Sequence, residues 1–284
     1  MQGLEFYQSL WAMEQRRPGQ AEPPIEESFA RVAEAGFAGM GMDLAMSDVP
    51  LAEAARPLFQ RHGLKCLFNG FPRSDDELRF MLGFARDYGA PFLSVIGQVI
   101  PRDVDGMIAV ARRWIDIADQ AGFPLLFETH RHGLLNDLYP TLALLDAVEN
   151  LNLCADLSHF VVDREFALPI DAEAGAMIGQ VLGRSWAFQG RVASNEQVQV
   201  QTGFPQHRAW TEQFLRWWDA GLRSWRTRAP RDAVVTFLCE LGPPPYAITG
   251  QDGLELSDRW DEALILRERV SALWAAMNPA PRAD

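Results

Sequence analysis

The chain has 284 residues, more than a usual domain but close to the about 250 of an α/β barrel. Hydrophobic residues make up 48% of it and aromatic residues 11%, which excludes a disordered chain. A formal net charge of −12 without a basic run argues against a nucleic-acid partner. No stretch approaches the roughly 20 apolar residues of a membrane span, and the amino terminus lacks a signal-peptide pattern. We therefore expect a cytoplasmic protein with reduced cysteines and no membrane partner.

Short apolar runs alternate with longer amphipathic segments along the chain, which is typical of βα units around a parallel sheet. Eight strands are predicted, at residues 5–11, 37–44, 64–70, 92–97, 124–130, 151–157, 186–192 and 234–241. Apolar residues at helical spacing predict helices at 25–35, 75–88, 104–121, 139–148 and 208–226. Glycines 36, 63, 89 and 122 follow helical patterns, as expected where a helix ends at positive φ. We predict one (β/α)8 TIM barrel at 1–277 and a frayed tail at 278–284.

Three predicted strands end in an acidic residue: Glu128 on the fifth, Asp156 on the sixth and Glu240 on the eighth. The carboxyl ends of barrel strands share one face, so these side chains are expected to converge there. Clustered carboxylates cannot all stay ionised without a cation, and a divalent metal ion is the simplest one. Singly, Glu128 could instead pair with an arginine and Asp156 could cap a helix. Acid oxygens that point to separate places, or an arginine in the middle of the three acids, would end the case for this metal chemistry.

Other polar side chains are expected near the same strand ends. An extended fifth strand would project His130 and His132 beside Glu128, and Asn69 and His159 end the third and sixth strands. We assign Asn69, His130, His159 and Arg191 to substrate binding. Gln189 is either a fourth metal ligand or a hydrogen-bonding wall residue, and Arg191 could instead neutralise the acids. Aromatic residues near strand ends could stack on a sugar ring, although most aromatics in a barrel are core: Trp11, Phe68, Trp186 and Tyr246.

The segments LLFETH at 125–130, DLSH at 156–159 and CELG at 239–242 resemble the xylose isomerase-like TIM-barrel superfamily, and the resemblance covers nearly the whole chain. It implies that Glu128, Asp156 and Glu240 bind a divalent metal, usually with a histidine from strand seven. Gln189 stands at that histidine's place. Oxygen donors favour Mg²⁺ or Mn²⁺ over Zn²⁺. The resemblance also implies that Glu128 and Glu240 exchange protons with opposite faces of a substrate carbon, while His159 assists the substrate oxygens.

We therefore predict a metal-dependent sugar isomerase or epimerase that works by carboxylate proton transfer through a metal-stabilised enediolate. Its partner would be a sugar or polyol. Alternatives are a dehydratase acting on an inosose, with His130 or His132 as the acid, and a barrel whose metal site has decayed. A phosphodiester nuclease fits poorly with 5 histidines and the negative charge. The sequence leaves open whether the protein forms a homo-oligomer, because Trp217, Trp218 and Trp225 are either core or interface residues.

Overall fold

Eight parallel strands form one closed barrel in chain order, and the last strand pairs with the first. The computed structural model describes residues 1–277, so the tail predicted at 278–284 lies outside the described residues. All eight predicted strands are confirmed, with ends that differ by a few residues. They are β1 (Gly3–Ser9), β2 (Gly39–Leu44), β3 (Lys65–Gly70), β4 (Leu93–Val95), β5 (Leu125–Glu128), β6 (Leu153–Ala155), β7 (Ser185–Gly190) and β8 (Val234–Cys239).

The helices lie between consecutive strands and after the last one. Within residues 1–277 they are α1 (Ile25–Glu34), α2 (Val49–His62), α3 (Asp75–Asp87), α4 (Val104–Ala121), α5 (Leu138–Ala147), α6 (Leu157–Asp163), α7 (Ala172–Gly183), α8 (Arg208–Arg228) and α9 (Arg259–Ala276). The apolar pattern predicted α1, α3, α4, α5 and α8. It gave no range for α2, which contains Pro57, for the short α6, for α7, or for α9, whose buried face includes Arg259 and Glu262. No helix in this part of the chain is long and apolar enough to cross a membrane.

Glycines end helices where the sequence placed them. Gly63 follows α2 with a φ of 63°, and Gly122 follows α4 with a φ of 61°. An L-residue with a side chain is strained in this left-handed region, whereas glycine is not. These two residues therefore turn the chain from a helix directly into the next strand.

The outer core packs the helices against the barrel. Trp217, Trp218 and Trp225 of α8 are 6%, 0% and 1% exposed, and the ring of Trp218 packs edge-on against Phe237 of β8 with centroids 5.1 Å apart. These tryptophans are therefore core residues, and the interface interpretation is wrong for them. Full burial of such large side chains contributes strongly to stability.

A second, smaller apolar cluster fills the inside of the barrel. Inward-facing side chains from seven strands or their immediate ends form this cluster, which we call the apolar plug: Tyr7, Leu67, Phe92, Leu126, Cys154, Ala187 and Leu238. Cys66, Cys154 and Cys239 are all buried and free, as expected for reduced cysteines. The cluster closes the middle of the barrel, so polar groups above it face only the carboxyl ends of the strands.

Candidate active site

A layer of polar side chains lies directly above the apolar plug, and all of them except the half-buried Asp43 are buried. Side chains two residues apart along a strand point to the same face, and the second one lies one layer higher in the barrel. Each plug residue is followed at this spacing by a polar residue, and Gly41 of β2 is followed in the same way by Asp43. The layer consists of Ser9, Asp43, Asn69, Ser94, Glu128, Asp156, Gln189 and Glu240. The strand period therefore places these residues on one inner face.

The three predicted acids meet in this layer. Glu128, Asp156 and Glu240 each offer a carboxylate oxygen, and the three oxygens lie within 4.8 Å of one another. Their residues are 2%, 0% and 5% exposed. The convergence expected from the sequence is confirmed, and the cluster could hold a metal ion.

Arg191, just beyond β7, neutralises two of these acids. Its Nε donates to Asp156 Oδ2 at 3.1 Å and its Nη2 donates to Glu240 Oε2 at 2.6 Å. The sequence left open whether Arg191 binds substrate or neutralises the acids, and the structure shows that it neutralises them. Because an arginine contacts two of the three acids, the cluster is not the unpaired carboxylate ring that the sequence favoured. No ion pair to Glu128 is found among residues 1–277.

Arg191 alone does not keep all of these acids ionised. Burial raises the pKa of Glu240 to about 8, even though the adjacent Arg191 guanidinium lowers it. Burial and the neighbouring Glu240 raise the pKa of Glu128 well above its ordinary value. Burial, together with Asp48, raises the pKa of Asp43 to about 7. One guanidinium therefore does not satisfy the carboxylates, and the site favours protons or a further cation.

Several buried polar atoms also lack a hydrogen-bond partner in the described part of the chain. They include Glu128 Oε1 and both amide atoms of Gln189, which is 1% exposed. Leaving a buried polar atom unsatisfied costs about 1–3 kcal/mol. Carboxylate and amide oxygens are the donors that Mg²⁺ and Mn²⁺ prefer. The free oxygens fit a divalent cation, and so do the raised carboxyl pKa values, which reflect a shortage of nearby positive charge.

Two imidazoles in close contact lie beside the acids, with their ring planes tilted by 53°. The rings of His130 and His159 have centroids 4.0 Å apart, and His159 Nε2 lies 3.4 Å from Asp156 Oδ2. Burial lowers the pKa of His130 to about 2 and that of His159 well below its ordinary value. Both imidazoles are therefore neutral at physiological pH. The prediction for His132 is wrong, because β5 ends at Glu128 and His132 is exposed in the following turn.

A cavity of about 180 Å³ opens above the polar layer. Its lining residues are Trp11, Asp43, Phe71, Ile96, Glu128, His130, Arg191, Glu240 and Tyr246. The rings of Trp11 and Tyr246 meet edge-on with centroids 5.1 Å apart. The aromatic prediction is confirmed for these two as cavity residues. Phe68 packs against Phe84 outside the barrel, which agrees with the core alternative, and Trp186 lies at the amino end of β7, away from the cavity.

The family model of the xylose isomerase-like TIM barrel matches residues 29–187, more than half of the chain. The chain belongs to this family. Its fold is similar to that of a xylose isomerase-like TIM barrel protein from Mycobacterium smegmatis solved with magnesium, at TM-score 0.60 and 14% identity, with 95% of this chain and 97% of that chain covered.

Two epimerases also have a fold that is similar to the fold of this chain. One is a D-allulose 3-epimerase from Methylomonas sp. in complex with D-allulose, at TM-score 0.58 and 15% identity, with 96% and 97% of the two chains covered. The other is an L-ribulose 3-epimerase, at TM-score 0.59 and 16% identity, with 99% of each chain covered. At such identities the likeness shows the fold alone. No curated protein matches the sequence.

One acid of the site in this xylose isomerase-like barrel was not predicted from the sequence. Asp43 lies at the end of β2 and lines the cavity with Glu240. The segment GMGMDL at 39–44 carries the signal, because it too places a carboxylate where an apolar strand ends. Gly41 is needed below Asp43, since a Cβ there would lie 2.8 Å from Leu238 Cδ1. The short, glycine-rich strand concealed this pattern.

Proposed function

We propose that this protein is a sugar epimerase or isomerase that moves a proton between Glu128 and Glu240 and a carbon atom of a small ketose. The observation that carries the proposal is the pair itself. Two buried carboxyls on different strands face one cavity, and both have raised pKa values. Catalytic acids and bases need pKa values near the working pH. The epimerases of similar fold support a ketose as the substrate class.

Glu128, Asp156, Glu240 and the amide oxygen of Gln189 would hold a divalent cation, with Mg²⁺ or Mn²⁺ preferred over Zn²⁺. When bound, this cation would supply positive charge that stabilises an enediolate and acidifies the carbon-bound proton. The site departs from the family pattern at Gln189, where a histidine is usual. An amide oxygen is a weaker ligand than an imidazole for most transition metals, which favours a hard cation here.

The two carboxyls are prepared for different tasks by their neighbours. Glu240 accepts a hydrogen bond from Asn69 Nδ2 at 3.2 Å, which favours its ionised form and does not depend on the further contact from Arg191 at 2.6 Å. Glu128 has only a weak contact from Ser94 Oγ at 3.5 Å, so it keeps a proton more readily. Glu240 is therefore the base in the first transfer and Glu128 the acid in the second. In the reverse reaction the two exchange roles.

The remaining residues would bind and enclose the substrate. His130 lines the cavity as a neutral imidazole that can hydrogen-bond a hydroxyl group. His159 lies behind it, fully buried, where it orients the ring of His130. Trp11 and Tyr246 cover the cavity with aromatic surface that suits the apolar face of a sugar and excludes water.

A dehydratase is the second candidate, and Asp43 is the observation that favours it. Loss of water from the same enediolate requires an acid for the departing hydroxide. The histidines predicted for this role do not fit, because His132 is exposed and His130, with its pKa lowered to about 2, is not an acidic imidazolium near neutral pH. Asp43 lines the cavity, and burial raises its pKa to about 7, so a fraction of it is protonated there.

One experiment separates these functions. The purified protein is incubated with Mn²⁺ in D₂O with D-allulose, L-ribulose or an inosose, and products are followed by NMR and mass spectrometry. We expect deuterium at the carbon beside the carbonyl and appearance of the epimer or isomer. Loss of water would instead assign the dehydratase. No exchange into any of these compounds would refute proton transfer and favour a binding barrel.

A further inference from the structure

Arg191 occupies oxygen atoms that a metal ion would need. Asp156 Oδ1 accepts hydrogen bonds from the backbone nitrogen and the Oγ of Ser158, at 2.9 and 2.6 Å. Its other oxygen, Oδ2, accepts from Arg191 Nε. In Glu240, Oε1 accepts from Asn69 and Oε2 accepts from Arg191. Arg191 therefore holds one oxygen of each of two acids, and only Glu128 has an oxygen free of any partner.

The guanidinium is held firmly in this place. Arg191 is 2% exposed, and its Nη1 donates to Gln199 Oε1 at 3.4 Å. The side chain of Gln199 is itself fixed by Gly242, which donates from its nitrogen at 2.7 Å and accepts at its carbonyl at 2.9 Å. The ring of Tyr246 lies 4.8 Å from the guanidinium carbon. The loops after β7 and β8 thus hold the guanidinium beside the acids.

A divalent cation bound to these two oxygens would lie next to this guanidinium and compete with it for them. Their positive charges repel at short range, and the repulsion is strong because the site is buried. Coordination by Asp156 and Glu240 therefore favours withdrawal of Arg191 from them. Arg191 lines the cavity beside Tyr246, so it borders open space on that side.

We propose that Arg191 competes with the divalent cation for Asp156 and Glu240 and thereby sets the metal affinity of the site. This inference rests on the metal site of the proposed function. Arg191 is the cation of the acid cluster when no metal is bound. Metal binding exchanges one cation for another, so its affinity is far lower than the three carboxylates alone would give.

The test measures Mn²⁺ affinity directly, without an activity assay. Metal-stripped protein is titrated with Mn²⁺, and free Mn²⁺ is followed by electron paramagnetic resonance. Arg191→Gln should bind Mn²⁺ at least about tenfold more tightly than the wild type. Arg191→Lys should be intermediate, because one ammonium cannot span both carboxylates as the forked guanidinium does. The matched control is Arg131→Gln, which removes a cation 5.3 Å from the Tyr246 ring without touching the acids and should change the affinity less than about twofold.

A second measurement uses the wild-type protein in case Arg191→Gln does not fold. Its buried Nε–H gives a ¹⁵N signal, assigned by comparison with Arg191→Lys, which should shift as Mg²⁺ binding saturates. The proposal is overturned if Arg191→Gln binds Mn²⁺ equally or more weakly, or if the Nε–H signal stays unchanged at saturating Mg²⁺. It is also overturned if no variant binds a divalent ion. Deuterium exchange could still occur in those cases, so the proposed reaction is judged separately.

Discussion

Replacing Glu240 by glutamine removes one charge from the acid cluster while keeping the shape of the side chain. We expect the variant to lose proton transfer but keep its fold. General acid–base catalysis contributes about 10²–10⁴-fold to a rate, so deuterium exchange should fall by at least about a hundredfold. An amide can neither take up nor return the proton that the carboxylate moves.

The effect on stability should be small, because two large electrostatic effects oppose each other. At an effective dielectric constant of about 20, unit charges about 4 Å apart attract by about 4 kcal/mol, which is the scale of the Arg191–Glu240 pair. Charges at the 4.8 Å limit of the acid cluster repel by about 3 kcal/mol, which applies between Glu240 and Asp156. Both effects shrink near neutral pH, because a carboxyl with a pKa of about 8 is only partly ionised there. We expect the free energy of unfolding to change by about 1 kcal/mol.

Deuterium exchange by NMR and urea denaturation are measured on the same preparation. The matched control is Glu212→Gln, which removes one acid of an exposed ion pair with Arg269 and should leave exchange unchanged. Exchange at the wild-type rate in a folded Glu240→Gln variant would remove Glu240 from proton transfer. A loss of more than about 4 kcal/mol of stability would show that the pair with Arg191 dominates and that the opposing repulsion has been overestimated.

Three further predictions concern the ligand set, the histidines and the cavity wall. Gln189→His should increase the preference for Zn²⁺ over Mn²⁺ by about tenfold, measured by competitive metal titration, because imidazole nitrogen is the softer donor. His130 and His159 should destabilise the fold in acid. Burial lowers their pKa values in the folded protein, so below their ordinary pKa the unfolded chain binds protons that the folded protein does not. The free energy of unfolding should fall below about pH 6.5 by up to about 1.4 kcal/mol per pH unit for each histidine, and His130→Gln should reduce that slope in urea titrations. Gly242→Ala should cost about 1–3 kcal/mol of stability in the same assay, because its added Cβ meets the ring of Trp11.

Each of these has a control or a contradicting outcome. An unchanged Zn²⁺ to Mn²⁺ ratio in Gln189→His would place Gln189 outside the ligand set. His132→Gln removes an exposed imidazole and serves as the control for the acid titration, where equal slopes in His130→Gln and the wild type would count against a buried neutral ring. The raised pKa values of the carboxyls act with the opposite sign, so only the difference between proteins is used. Gly179→Ala, with nothing near an added Cβ, controls for Gly242→Ala.

The sequence alone determined the barrel and most of the polar layer. Alternating apolar runs and amphipathic helices predicted all eight strands, because burial on both faces demands continuous apolar strands. The period of two then placed Glu128, Gln189 and Glu240 on inward faces, since an acid that ends an apolar strand has few other places to point. The glycine-rich β2 did not show this contrast, which is why Asp43 was missed.

Only the tertiary structure decided how these side chains meet. The alternation put Arg191 on the inner face, but whether it contacts a substrate or Asp156 and Glu240 depends on how three strands are aligned when the barrel closes. His132 turned outward because the fifth strand ends at Glu128, a boundary that no local pattern marks. Distances between residues far apart in the chain arise from packing and closure rather than from local sequence. The cation contacts of the acid cluster are therefore a property of the folded barrel.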